Sequence, residues 1–160
     1  MGLALNQNAR GARAAQYLKR LARMRVKLKN FFSFGEMLKP LTLSGDIPTI
    51  SFIPGGLGED ENSPAVEIPA IQTSTWHDGN SILLSFINGK VPENAGETIS
   101  FSFDFDSSLY GINEAISIKE VNATSENDYT AVPNQFHKDV TLVPYEVKAF
   151  VITPMSEIAQ

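Results

Sequence analysis

The sequence predicts a mainly β protein, an antiparallel β-sandwich of about eight strands preceded by one N-terminal amphipathic α-helix. Two observations lead to this fold class. Apolar residues recur at helical spacing over residues 12–32, and beyond residue 35 the hydrophobic period changes from 3.6 to 2. Short predicted strands then follow one another with no helical pattern between them, which is typical of a β-sandwich.

Length and composition restrict the chain to one domain with a helical appendage. It has 160 residues, of which 42% are hydrophobic. This is too short for a complete (β/α)8 barrel, which needs about 250 residues, and too apolar for a disordered chain. The sequence has no run of 18 apolar residues and no Cys, which excludes a membrane-spanning helix, disulfides and cysteine-based metal sites. The compartment is left open, because larger domains are also secreted without disulfides.

Charge is unevenly distributed along the chain. Residues 1–35 contain eight of the 13 Lys and Arg residues and no acid, whereas residues 36–160 contain all 18 acids and five Lys, a net charge of −13. We therefore divide the chain at residue 35. Residues 1–35 are predicted to form a basic amphipathic helix, helical over 12–32 with a frayed start, and residues 36–160 a β-sandwich domain.

Three interpretations of the basic helix compete. It is a targeting peptide, a helix that binds nucleic acid or a membrane surface, or a helix whose apolar face packs on a protein core. We favour packing, because Phe31-Phe32 continues directly into folded sequence. The predicted face comprises Ala14, Tyr17, Leu18, Leu21, Ala22, Arg25, Leu28, Phe31 and Phe32.

The strands are predicted from alternation and from turn residues. In Thr98–Asp106 four large apolar residues alternate with polar ones, and Ile82–Ile87 is a continuous apolar run typical of a central strand. The turn residues 88–96 between these two strands predict a hairpin with a longer loop. The other predicted strands lie near Leu41 and at Ile47–Ile53, Glu67–Thr75, Ala115–Asn122, Asp139–Val143 and Glu146–Thr153. The predicted core comprises Ile82, Leu84, Phe86, Phe101, Phe103, Phe105, Ile116, Ile118, Leu142, Val147, Ala149 and Val151.

One segment carries candidate binding residues. Trp76-His77-Asp78-Gly79-Asn80 lies between two predicted strands, so we expect a hairpin turn with a packed Trp. The alternative is a sugar site, because pyranose rings stack on aromatic faces beside hydrogen-bonding side chains. The residues of that alternative are Trp76, His77, Asp78, Asn80 and Tyr110, and Tyr129 and Tyr145 are further candidate aromatics.

No catalytic or metal site is predicted. His137 has abundant Ser and Asp elsewhere in the chain as triad partners, but no local signature such as Gly-x-Ser-x-Gly supports a triad. Asp104-Phe105-Asp106-Ser107 begins like a calcium loop, yet Leu109 and Ala115 stand where that loop requires Gly and Glu. The acidic run at 59–62 is predicted to be a solvated loop, and Pro54-Gly55-Gly56-Leu57-Gly58 lacks the Lys of a phosphate loop. We expect no cofactor.

The order of these segments resembles the C-terminal region of certain multidomain proteins. The connection Gly35-Glu36-Met37-Leu38-Lys39-Pro40, a strand ending in Trp76, and the terminal hairpin Leu142-Val143-Pro144-Tyr145-Glu146-Val147 carry the resemblance. The chain resembles glycoside-hydrolase-like proteins of the α-galactosidase and α-amylase type and their uncharacterised relatives. In these proteins the last helix of a catalytic (β/α)8 barrel leads into a β-sandwich.

The resemblance implies a non-catalytic accessory domain, present here as a fragment without the catalytic barrel. The paired acids of such enzymes lie on the barrel, so we expect no activity from this chain alone. The helix face Leu18, Leu21, Leu28 and Phe31 would pack on the barrel, on a second copy or on the sandwich. Two alternatives stay open: a carbohydrate-binding module that uses exposed aromatics, and an interaction protein whose basic helix binds an acidic partner or a membrane surface. Nucleic acid is the least expected partner.

Overall fold

A computed structural model describes residues 2–52, 64–90 and 98–158 of the chain. The predicted turns at 54–58 and 59–62, and most of the loop at 88–96, lie outside the described residues. The elements follow in the order α1 (Gly2–Lys27), α2 (Lys29–Phe34), β1 (Glu36–Leu38), β2 (Thr49–Phe52), β3 (Val66–Pro69), β4 (Ile71–His77), β5 (Ile82–Asn88), β6 (Ile99–Asp106), a 3-10 turn (Ser107–Tyr110), β7 (Ile116–Asn122), β8 (Thr130–Val132), β9 (Gln135–Leu142), β10 (Val147–Pro154) and α3 (Met155–Ile158).

A six-stranded antiparallel sheet forms the middle of the described fold, in the order β1-β4-β5-β10-β7-β8. Its central strands β5 and β10 are covered on both faces, which explains why β5 is a continuous apolar run. Ile82, Leu84 and Phe86 of β5 point into one hydrophobic cluster, whereas Leu83 points into another on the opposite face. The mainly β fold class and its antiparallel pairing are confirmed.

The second layer consists of two antiparallel pairs, β6-β9 and β2-β3. The predicted alternation of β6 is confirmed, because Ile99, Phe101, Phe103 and Phe105 are all buried. Stacked and tilted aromatic rings fill the space between the layers, with the ring centroids of Phe86 and Phe103 5.2 Å apart. All but one of the predicted core residues are buried; Ile118 is partly buried at the margin.

The helices form a third layer on the other face of the sheet. Met24 and Leu28 are 3% and 5% exposed and Phe31 is buried with them. They pack against Leu83, Val121, Val147, Ala149 and Val151. The helix therefore docks on the sandwich of its own chain. The predicted face is corrected: Ala14, Leu18, Ala22 and Arg25 are exposed, and Met24, which the prediction omitted, is buried.

Two predicted hairpins are corners between layers. β5 pairs with β4 and β10, whereas β6 pairs with β9, so β5 and β6 belong to different layers. The segment Leu142–Val147 likewise joins β9 of the second layer to β10 of the six-stranded sheet. Tyr145 adopts a positive φ of 59° in this corner. Sequence neighbours were predicted to pair, but packing of two layers separates them.

Smaller differences concern element boundaries. The predicted strand Glu67–Thr75 is divided at Ala70 into β3 and β4, and the chain near Leu41 packs on the core without forming a strand. Helix α1 begins at Gly2, where a frayed start was predicted, and it is followed after Leu28 by α2. Among the described residues, no helix has the length and apolarity to cross a membrane.

Candidate functional site

Trp76 lies where the helices meet the edge of the six-stranded sheet. It faces Met37 across the β1-β4 pair and shares a face with Leu83 of β5. The indole is half-buried and meets the ring of Phe32 in a T-shaped contact, with centroids 5.4 Å apart. Its Nε1–H donates to Ser74 Oγ at 3.0 Å. The predicted packed Trp is confirmed.

Asp78 shapes the turn between β4 and β5. Its Oδ1 accepts from the backbone N–H groups of Asn80 at 3.1 Å and Ser81 at 2.8 Å. Gly79 has a φ of 102°, a conformation in which a Cβ is strained. This is an Asx-type turn, and it leaves Asn80 exposed at the tip.

The five predicted sugar-site residues do not converge on one surface. His77 pairs in register with Ile82, whose side chain lies in the cluster between the layers, so His77 and Trp76 point to opposite faces. Tyr110 packs on that same inner cluster and stacks on Phe105, with centroids 5.3 Å apart. Burial raises the pKa of Tyr110 above 10.0. Trp76, His77, Asp78 and Asn80 lie at a common end of β4, but His77 is on the opposite face from Trp76. Carbohydrate binding stays a prediction.

An apolar pocket of about 400 Å³ opens beside Trp76, between α1 and the sheet. Leu21, Met24 and Leu28 line its helix side, and Trp76, Ile87 and Val147 line its sheet side. Ser85 and Arg25 contribute polar groups. Its size is within the range of ligand pockets, about 300–1,000 Å³.

A second, polar cleft of about 260 Å³ lies on the other side of the helix and joins Asp78 to Tyr129. Lys119 Nζ is 2.7 Å from Glu126 Oε2 and 5.5 Å from the centroid of the Tyr129 ring. The hydrogen bond between Lys119 and Glu126 raises the pKa of the lysine and lowers that of the carboxyl. Tyr129 is among the predicted sugar-binding aromatics, but sequence reasoning missed the cleft itself, because its other residues come from α1, α2, the β4-β5 turn and the β7-β8 region.

His137 is paired on the outer face of the second layer. Its Nδ1 is 2.8 Å from Asp104 Oδ1, and its Nε2 is 3.6 Å from Asp139 Oδ1. The hydrogen bond with Asp104 raises the pKa of His137 above its ordinary value of 6.5. Both ring nitrogens therefore lie beside carboxylates, an arrangement that favours the protonated imidazole. In the part of the chain that the structure describes, no three His, Asp or Glu side chains are grouped as metal ligands.

Helix α1 carries a second apolar row that faces away from the sheet. Leu18 and Val26 are 62% and 72% exposed, and Ala22 lies between them at helical spacing. Lys27, on another side of the helix, donates to the carbonyl oxygens of Asn122 at 3.0 Å and Ser125 at 3.3 Å. The ammonium group of Lys27 is therefore already hydrogen-bonded within the chain, whereas Arg20 and Arg23 are exposed.

Comparison with known proteins identifies no family. No protein-family model matches the chain, and no curated protein matches it. Among solved structures it is similar to a GH30 endoxylanase from Clostridium papyrosolvens C71, with 18% identity and a TM-score of 0.34. The match covers 57% of this chain and 22% of the endoxylanase chain, so this chain spans less than a quarter of that protein. A likeness this weak carries no argument about activity.

Proposed function

We propose that the chain is a non-catalytic β-sandwich module that packs against the catalytic (β/α)8 domain of a glycoside-hydrolase-like protein. The outward apolar row Leu18, Ala22 and Val26 of α1 is the contact surface. The exposure of this row is the observation that carries the proposal.

One face of α1 is buried on the sheet, and the opposite face exposes apolar side chains. The inner face, through Met24 and Leu28, is already buried against the sheet. An amphipathic helix needs one apolar stripe for such docking and places polar residues opposite. Here the outer side keeps Leu18 and Val26 exposed, and Phe34 at the end of α2 is also exposed. A second apolar row on a helix that is already docked indicates a second contact.

The carbohydrate context comes from the sequence resemblance. The segments Gly35–Pro40 and Leu142–Val147 have the form expected where a barrel helix enters a terminal sandwich. In the structure the first segment connects α2 to the sheet, and the second forms the corner between β9 and β10. The assigned role is structural: the module supports the barrel wall from one side.

The test begins with the DNA upstream of the Met1 codon and with the adjacent gene. Any (β/α)8 domain encoded there is expressed separately and mixed with this chain, and binding is measured by isothermal titration calorimetry. We expect a saturable complex that Leu18→Glu or Val26→Glu weakens at least roughly tenfold, because each buries a charge without a partner. Leu109→Glu is the matched control, since Leu109 is an exposed leucine of the second layer.

Three results would overturn the proposal. The first is that no barrel is encoded in either place. The second is that the barrel does not bind, or that Leu109→Glu weakens binding as much as Val26→Glu. The third is that the purified chain alone hydrolyses glycosides or polysaccharides.

A second candidate function, sugar binding, is favoured by the polar cleft. Tyr129 is 41% exposed and shares the cleft with the side chains of Asp78 and Asn30. An aromatic face beside hydrogen-bonding groups is the arrangement that sugars need. By contrast, the Trp76 indole already has partners in Phe32 and Ser74.

Soluble α- and β-glucans, galactans and mannans test this candidate by calorimetry. We expect Tyr129→Ala to abolish binding and Tyr129→Phe, which keeps the ring, to retain most of it. Quenching of Trp76 fluorescence with unchanged binding in Tyr129→Ala would move the site to Trp76. Absence of binding to the whole panel would reject sugar binding at the cleft.

A further inference from the structure

The apolar pocket beside Trp76 is a gap within the helix-sheet interface. Met24 and Leu28 seal the helix against β10, while Leu21 and Trp76 stand on opposite walls of the pocket. Its walls are mostly hydrocarbon and aromatic, so water in it gains few hydrogen bonds. An apolar molecule that displaces this water is therefore stabilised in proportion to the apolar surface removed from water.

A hydroxyl group at the pocket wall has capacity for another hydrogen bond. Trp76 Nε1–H donates to Ser74 Oγ, and Ser74 Oγ is 2.7 Å from Ser85 Oγ. When the Ser74 hydroxyl donates to Ser85 Oγ, the hydroxyl proton of Ser85 is not used in these hydrogen bonds and is available to a ligand. Ser85 is only 9% exposed and lines the pocket. A buried hydroxyl of this kind favours a ligand atom that accepts a hydrogen bond.

Among the residues that the structure describes, Arg25 is the charged one that lines the pocket. Within the described ranges, no carboxylate lies within ion-pair distance of its guanidinium group, and residues 1–35 contain no acid. The other wall residues are uncharged. The pocket therefore combines an apolar interior with one cation and complements a molecule that has an apolar body and a single negative end.

We propose that this pocket binds an aliphatic monocarboxylate of medium chain length. The hydrocarbon chain lies between Leu21, Met24 and Trp76, and the carboxylate pairs with Arg25. The proposal goes beyond the module function, because it uses the sheet-facing side of α1 and not the outward row.

The test uses the full chain, whose single Trp reports on the pocket. Decanoate, decanol and decyltrimethylammonium are titrated below their aggregation concentrations while Trp76 fluorescence is recorded, and calorimetry repeats each titration. We expect a saturable change with decanoate and at least roughly tenfold weaker binding of the alcohol and the cation, since neither forms the charge-assisted pair with Arg25.

Three variants localise the site. Arg25→Gln is expected to weaken the binding of decanoate about tenfold. Arg23→Gln is the matched control, because Arg23 does not line the pocket, and it should leave this binding unchanged. Leu21→Phe fills the pocket and weakens both decanoate and decanol. Far-ultraviolet circular dichroism and thermal unfolding verify that each variant is folded.

The proposal is overturned by any of three outcomes: no saturable signal, equal affinity for decanoate and decanol, or equal effects of Arg25→Gln and Arg23→Gln. Val26→Glu separates this result from the module proposal. It should weaken barrel binding at least roughly tenfold and leave decanoate affinity within about twofold, since independent sites respond independently.

Discussion

Asn88 shows how one buried polar residue fixes two chain corners. Its side chain is fully buried, and Nδ2 donates to the carbonyl oxygen of Leu142 at 3.1 Å. Its backbone N–H donates to Glu146 O at 3.0 Å, and its carbonyl accepts from Tyr145 N–H at 3.1 Å. The end of β5 is thereby bound to the corner that leads into β10. Turn chemistry at Asn88-Gly89 was predictable from sequence, whereas its burial depends on a partner more than 50 residues away.

Asn88→Ala should destabilise the fold by about 1–3 kcal/mol, because the Leu142 carbonyl loses its donor in a buried position. The measurement is the midpoint of urea unfolding, with an unchanged dependence of the free energy of unfolding on urea concentration. Asn113→Ala, at an exposed position, serves as the control and should change the stability by less than about 0.5 kcal/mol. Equal midpoints for the two variants would show that the corner does not depend on this amide.

His137 should titrate above its ordinary pKa, and Asp104 should be the main cause. Asp104→Asn is expected to lower the pKa of His137 toward 6.5, because the hydrogen-bonded carboxylate that stabilises the imidazolium is gone. A raised folded pKa means that this pair contributes stability below the unfolded pKa, and the contribution is lost as pH rises through the folded value. Both groups are exposed, so the effect on stability is small.

Proton NMR of the His137 imidazole gives the measurement. Asp46→Asn is a control at an exposed aspartate elsewhere. A pKa of His137 that is the same in the wild type and in Asp104→Asn would contradict the assigned contact.

At the scale of elements, periodicity identified the helix and most strands but not every contact. Helix α1 has two apolar rows, one through Leu21, Met24 and Leu28 and one through Leu18 and Val26. Sequence spacing alone combined residues from both rows into one face. The choice between them depends on the sheet surface that the helix meets, which is formed by β5, β7 and β10.

Substitutions in the two rows should differ in their effect on the free energy of unfolding. Leu28→Ala is expected to cost about 2–4 kcal/mol, since it opens a cavity among buried side chains of the helix-sheet interface. Leu18→Ala removes an exposed side chain and should change the stability by less than about 0.5 kcal/mol. Urea unfolding followed by circular dichroism compares the two. Similar losses would mean that the helix docks through a broader or rotated face.

At the scale of the whole molecule, the sequence predicted the layers better than their connections. Period-2 alternation indicates which residues of β6 face a core, but it does not identify β9 as the partner of β6. The candidate site was limited in the same way. Trp76 and Tyr110 belong to clusters on opposite faces of one sheet, and the residues of the polar cleft are far apart in the chain.

The helical layer should be required to cover the face of the six-stranded sheet on which it packs. Deletion of residues 1–34 would expose Leu83, Val121 and Val151 on the six-stranded sheet. Each fully buried aliphatic side chain contributes about 1.5–3 kcal/mol, so the combined loss is comparable to the net stability of a small domain, about 5–15 kcal/mol. We expect the deleted chain to bind the dye ANS strongly and to associate, as measured by light scattering coupled to size-exclusion chromatography.

The control for this deletion is the full chain with Arg20→Glu and Arg23→Glu, which reverses exposed charges and keeps the buried row intact. Lys27 is left unchanged, because its contacts with Asn122 and Ser125 contribute to docking. The charge-reversed chain should keep the association state of the wild type and bind little ANS, since apolar burial and not charge holds the helix on the sheet. A deleted chain that is monomeric and unfolds at the wild-type midpoint would show that the sandwich is stable without its third layer, and the docking assigned to Met24, Leu28 and Phe31 would then contribute little.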